Sequence, residues 1–282
     1  MTAIDYEVEY NNRARVPEHP EIFARWFREG EAYRNASPKL ERLSYGPSAR
    51  QTLDLFPAAN DGPTTPLMLF IHGGWWRSLE PEQFSQMAKG ANAHSVTVAV
   101  IGYDLCPTCS IADIIGQVRA ACLYLWRKRR QRFLAVGHSA GAHLASCMLA
   151  TDWKTLEPTA PNDLVPAAYA ISGVFDLAPL TQISVNADLK LTDKTAHELS
   201  PIYWHVPAGR VLDAVVGGRE SGEFLRQSRT ITEAWRQGMA QTRYEEIAGK
   251  NHFDVIDALA DPDSAMTPRV VELARQVQAI AL

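Results

Sequence analysis

Gly137-His138-Ser139-Ala140-Gly141 sets a hydroxyl between two glycines, the spacing in which a serine serves as a nucleophile. A serine attacks a carbonyl carbon when a base takes its proton and donors hold the oxyanion that forms. His72-Gly73-Gly74-Trp75 offers the donors. Glycines let the backbone come close to a substrate, so the Gly73 and Gly74 amides, with that of Ala140, are the candidate oxyanion hole. His72 is read as a ring that braces its own loop. The base is then sought among the remaining histidines, His19, His94, His138, His143, His197, His205 and His252. An orienting acid is sought among Asp213, Glu220 and Glu223.

These groups act together only if strands deliver them to one edge. Leu67 to Ile71, Val96 to Ile101, Phe133 to Val136, Ala167 to Ile171 and Val211 to Val216 are short apolar runs, most ending at or near glycine. Runs of that kind are strands buried on both faces of a parallel sheet. Gln51 to Phe56 alternates and reads as a further strand. Ile111, Ile114, Ile115, Val118, Cys122 and Leu125 share one helical face, as do Phe224, Ser228, Ile231 and Trp235. Strands alternating with helices predict an α/β fold with a mostly parallel sheet of about eight strands, covered by helices on both faces. The domain is expected to span 1–282. Residues 1–40 form an N-terminal arm with a short amphipathic helix at Ile22, Trp26 and Phe27. Residues 173–205 break the rhythm and are expected to form a cap-like insertion over the sheet's C-terminal edge.

The strand Phe133 to Val136 runs straight into the serine motif, and a helix from Ala140 to Ala150 leaves it. That context forces a sharp turn with Ser139 strained at its tip. In such a fold the chain order is nucleophile, acid, base. Arg243 to Ile247 reads as the last strand, and the loop after it carries His252, the expected base. His143 falls on the helix behind the nucleophile, and His197 and His205 fall in the insertion. The loop after Val211 to Val216 carries Glu220, preferred as the acid. Glu223, in the first turn of the next helix, is the alternative, and Asp213, within the strand, is the weaker one.

The chain resembles the α/β-hydrolase superfamily in its HGG-bearing branch, and within it the kynurenine formamidase (arylformamidase) group. The resemblance rests on His72 to Arg77, Tyr103 to Pro107, Gly137 to Leu144, Ser172 to Leu177, Leu199 to Pro201, Glu220 to Ser228 and Asn251 to Phe253. It implies Ser139 as nucleophile, His252 as base, Glu220 as acid, and cleavage of an aryl formamide such as N-formylkynurenine. Animal members of the group usually carry Asp where this chain has Glu220, and Trp76 is a second departure. The alternative activity is a carboxylesterase for small esters or carbamates. A third reading is a non-catalytic ligand-binding module. For an aryl formamide most of the substrate lies on the leaving-group side, so Trp75, Trp76 and Phe175 are expected to line an aromatic pocket. Plain packing is the competing account of the tryptophans.

Composition bounds the partners. The 282 residues carry a formal charge of −4, which gives no basic field for nucleic acid. No apolar run approaches the roughly 20 residues of a membrane span. The first residues have no apolar core of a secretory signal, so a cytoplasmic protein is expected. Cys106 and Cys109 have CxxC spacing, but no second ligand pair lies nearby, so no metal is expected. No cofactor is signalled. Arg127 to Arg130 reads as a solvated helix end, where cations are favoured. The expected partner is a small-molecule substrate, with no nucleic acid and no membrane; a homodimer is left open.

Overall fold

A computed structural model describes residues 4–280. Eight strands form one sheet: β1 (Glu41–Ser44), β2 (Thr52–Phe56), β3 (Leu67–Ile71), β4 (Thr97–Ile101), β5 (Leu134–His138), β6 (Ala167–Ile171), β7 (Val211–Gly217) and β8 (Gln241–Ile247). Their spatial order is β1-β2-β4-β3-β5-β6-β7-β8. The β1–β2 and β2–β4 pairs are antiparallel, and every pair from β4 through β3 to β8 is parallel. No apolar run announces β1, because it is an edge strand, Glu-Arg-Leu-Ser, with little to bury.

The apolar runs are continuous because both faces of the central strands are covered. On β3, Leu67, Leu69 and Ile71 enter one core while Met68 and Phe70 enter the other. This is the two-residue period of a strand with a buried layer on each side. The principal helices are α1 (Tyr6–Tyr10), α2 (Asn12–Arg15), α3 (His19–Asn35), α4 (Ile111–Arg129), α5 (Ala140–Leu149), α6 (Gly222–Gln237) and α7 (Met266–Gln278). Ile114 and Val118 of α4, Leu144 of α5 and Ile231 of α6 fill the first core. Trp26 of α3 and Val270 and Leu273 of α7 fill the second. Each fully buried side chain of this size contributes about 1.5–3 kcal/mol before chain entropy is counted.

The N-terminal arm is held more firmly than its polar sequence foretells. α3 runs for 17 residues, well beyond the short helix expected, and Trp26 donates its indole N–H to Asp257 at 2.9 Å. Tyr10 is buried against Phe224. The insertion between β6 and β7 is a series of short turns, pinned by Leu177, Leu180 and Leu189. Ser110 caps α4 and Asp113 completes a capping box. At the other end of α4, Arg127, Lys128 and Arg129 pair with Glu157, Glu41 and Asp61. Burial pushes the Cys106 thiol up to about 11 and the Cys109 thiol to about 12, which disfavours the thiolate that redox or metal chemistry needs. Among the described residues no helix is long and apolar enough to cross a membrane.

Candidate active site

Ser139 sits where β5 turns into α5, at φ 56° and ψ −118°. A non-glycine residue there is strained by about 1–3 kcal/mol, so its surroundings must hold it. The Ser139 amide donates to Ile171 O at 2.8 Å, and its carbonyl accepts from the Ala142 amide at 3.0 Å. A Cβ on Gly137 would come within 2.0 Å of Gly141 O, so only glycine lets strand and helix close this tightly.

His252 follows β8 in a loop tied by Asn251, whose side-chain oxygen accepts from the Phe253 and Asp254 amides at 2.9 and 3.0 Å. The His252 ring points back at the turn. Ser139 Oγ stands 3.1 Å from His252 Nε2, and Glu220 Oε2 stands 2.7 Å from His252 Nδ1. A carboxylate accepts, so the Nδ1 proton faces Glu220 and Nε2 is left to accept from the serine hydroxyl. Glu220 Oε1 takes a hydrogen bond from the Gly217 amide at 2.7 Å and another from the Ser172 hydroxyl. The carboxylate is buried, and these donors satisfy it there.

The two alternative acids are occupied elsewhere. Glu223 accepts from Tyr10 Oη at 2.9 Å and from Arg226 at 2.8 and 2.7 Å. Burial would raise its carboxyl, but the Arg226 and Tyr10 hydrogen bonds outweigh that and hold it below the usual carboxylate range. Asp213 pairs with Arg269 at 2.7 Å and with Arg243 at 3.4 Å.

The glycine loop packs closely against Ser139. A Cβ on Gly73 would sit 2.8 Å from His138 O and 3.0 Å from Ser139 Cβ. Gly74, at φ 112°, and Trp75 line the cavity at Ser139. Ala140 opens α5, so its amide has no acceptor inside the helix and carries the helix's positive end. His72 Nδ1–H donates to Gly73 O at 2.7 Å, and burial holds its ring pKa down to about 4. It is a neutral brace of the loop, as read from the sequence.

The cavity beside Ser139 has a volume of about 40 Å³. Trp75 is part of its wall, but Trp76 and Phe175 are not. Both are 0% exposed. Trp75 and Trp76 share φ 54°, a left-handed pair that sends the second indole into the core, edge-on to His143 at 5.0 Å. Phe175 folds inward from the start of the insertion, its amide donating to Gln227 Oε1 at 2.9 Å. The arm supplies the aromatic wall in their place, through Phe23 and Trp26 of α3. Sequence reasoning missed this because distant helices carry no signal of what they will cover. It also gave no role to Ser172, although Ser172 directly follows β6 at the same sheet edge, which is the one available hint. His138 was missed too. Its Nε2–H donates to His252 O at 2.7 Å, and burial, then the charge of His252, keeps its pKa well below the ordinary value.

Ser139, His252 and Glu220 lie in one hydrogen-bonded line, with the Gly73–Gly74 loop packed beside Ser139. The BD-FAE family model matches residues 53–201. Kynurenine formamidase of Danio rerio is 27% identical over 250 residues, covering 86% of this chain and 84% of that protein. A Silicibacter protein provisionally called a thioesterase superposes with a TM-score of 0.82 at 30% identity, covering 95% of this chain and 99% of that one. An esterase from Pyrobaculum calidifontis shares the fold, with a TM-score of 0.72 at 12% identity over 92% of each chain.

Proposed function

The chain belongs to the BD-FAE family of α/β-hydrolases, and we propose that it is a serine hydrolase that cleaves an aryl formamide such as N-formylkynurenine. The observation that carries the mechanism is the unbroken line from Ser139 through His252 to Glu220, at 3.1 and 2.7 Å. His252 Nε2 takes the Ser139 proton as Oγ attacks the formyl carbon. The carbonyl electron pair moves to oxygen, which the amides of Ala140 and of Gly73 or Gly74 hold. His252 then gives its proton to the nitrogen as the carbon–nitrogen bond breaks, and the aryl amine leaves. A water, deprotonated by His252, attacks the formyl-serine, and formate departs as Ser139 regains its proton. Glu220 keeps the imidazole in the working tautomer and stabilises its cation throughout.

One observation favours a formyl group. The Danio rerio relative that matches most of the chain is a kynurenine formamidase. The carboxylesterase reading uses the same groups, and the thioesterase label of the Silicibacter relative favours it. A comparison of kcat/KM on formanilide and on phenyl acetate tests the two. The formamidase reading expects formanilide to be turned over at least as well as the ester. A large preference for acetate would reverse the assignment. Ser139→Ala abolishes either activity.

A further inference from the structure

The Ser139 cavity opens outward into a groove of about 140 Å³, and Asn12, Arg13, Trp75 and Ser78 line both. Two polar side chains at this junction have unused donors. Asn12 is 4% exposed, and its Nδ2 is buried with no hydrogen-bond partner. A buried amide donor without an acceptor is costly, and an acceptor entering the cavity would relieve that cost. Arg13, its neighbour on α2, is exposed and has no hydrogen-bond or ion-pair partner among the described residues. Its guanidinium only overlies the Phe23 ring, 5.9 Å from the centroid.

The other charged side chains of the groove make contacts of their own. Glu7 accepts from the Ser184 amide and hydroxyl, each at 2.7 Å, and so faces the insertion. Arg77 is paired with Asp188. Arg13 is therefore the cation of this groove whose charge is not neutralised, in a protein whose formal charge is −4. Guanidinium and amide N–H groups side by side match the oxygens of a carboxylate.

We infer that Asn12 and Arg13 form a carboxylate-recognition site, which selects substrates bearing a negative charge on the part that leaves after attack by Ser139. The inference rests on the proposed function for the direction in which substrate lies. Trp75, shared by cavity and groove, would flank the aryl ring between the two ends. The arm residues thereby do what the catalytic loops do not: they read the leaving group.

The test is calorimetric titration of the Ser139→Ala protein, which cannot turn substrate over, with meta-formamidobenzoate and its neutral meta-formamidobenzamide counterpart. The carboxylate is expected to bind about tenfold more tightly at low salt, as a charge-assisted contact allows. On the same background Arg13→Gln, an exposed position with no fold to disturb, brings the two ligands to within about twofold. Asn12→Ala, checked by circular dichroism to be folded, also narrows the preference. Equal affinity for the two ligands, no binding of either, or a preference that survives Arg13→Gln overturns the inference. The formamidase reading fails separately, if the wild-type protein releases no amine from the neutral formamide.

Discussion

Replacing Glu220 by Gln removes one charge and almost no volume, so its effect can be worked from the hydrogen bonds. Oε1 receives the Gly217 amide and the Ser172 hydroxyl, while Oε2 receives the His252 Nδ1 proton. A glutamine has one acceptor oxygen and one donor nitrogen. With its nitrogen toward Gly217, a buried N–H faces another N–H, which costs about 1–3 kcal/mol of stability. With its nitrogen toward His252, the ring must shed its Nδ1 proton and carry it on Nε2, where it cannot accept from Ser139. In both arrangements the imidazolium loses its counter-charge. The same carboxylate-to-amide change in serine proteases costs about 10⁴ in kcat, or about 5.5 kcal/mol of barrier. Release of amine from formanilide gives kcat, and thermal melts followed by circular dichroism report folding. Glu220→Gln is expected to lower kcat by about 10³–10⁴ with the fold retained. Glu223→Gln is the contrast: it breaks contacts to Tyr10 and Arg226 and lowers the melting temperature, with kcat within about threefold of wild type. A Glu220→Gln protein within tenfold of wild type, beside a Glu223→Gln protein reduced a thousandfold, would refute the assignment of the acid.

Three further outcomes follow from the geometry. Ser172→Ala leaves Glu220 two of its three donors, so kcat should fall about tenfold with little change in KM; an unchanged kcat would remove Ser172 from the positioning network. Gly73→Ala drives a methyl group against His138 O and Ser139 Cβ and displaces the donor loop, so kcat should drop about 10²–10³, and retained activity would place the oxyanion elsewhere. Burial holds His72 and His143 down to about 4 and His138 well below its ordinary 6.5, while the unfolded chain takes these protons near 6.5. The unfolded state therefore binds more protons between about pH 6.5 and 4, and stability falls as pH falls through that window. Urea midpoints measured at about pH 7.5 and pH 5 should decrease toward acid, and a higher midpoint at pH 5 would contradict the neutral-ring reading.

The sheet was legible because its central strands are short apolar runs, most of them ending at or near glycine and separated by segments of helical period. The serine turn was legible because strand, small residues and helix follow one another without a gap. His252 and Glu220 could be located because each lies a few residues beyond a strand end, where chain order restricts the choice. The walls of the cavity were not legible. Trp76 looks identical to Trp75 in the sequence, and only a pair of left-handed residues separates a lining ring from a core ring. Phe175 follows a strand end as His252 does, yet it turns inward because the insertion must bury something. Asn12 and Trp26 reach the cavity from helices more than a hundred residues before Ser139, and nothing local records that approach.

That division has a physical cause. The family match, residues 53–201, contains Ser139 and the glycine loop, both in the immediate turns of the sheet's central strands. Glu220 and His252 lie beyond it, in the loops after β7 and β8, and the parallel register of those strands brings them to the sheet edge of Ser139. The arm lies before it and, among the described residues, lines the Ser139 cavity through side chains on α2 and α3. A strand end cannot move without breaking the sheet, so the geometry of Ser139, His252 and Glu220 is fixed by the core. An arm helix can change its side chains without disturbing the sheet, so what the cavity admits is free to vary while the chemistry stays. Substitutions in α2 should therefore alter which substrate is taken and leave the order of proton transfers untouched. Substitutions at Ser139, His252 or Glu220 should stop every substrate alike.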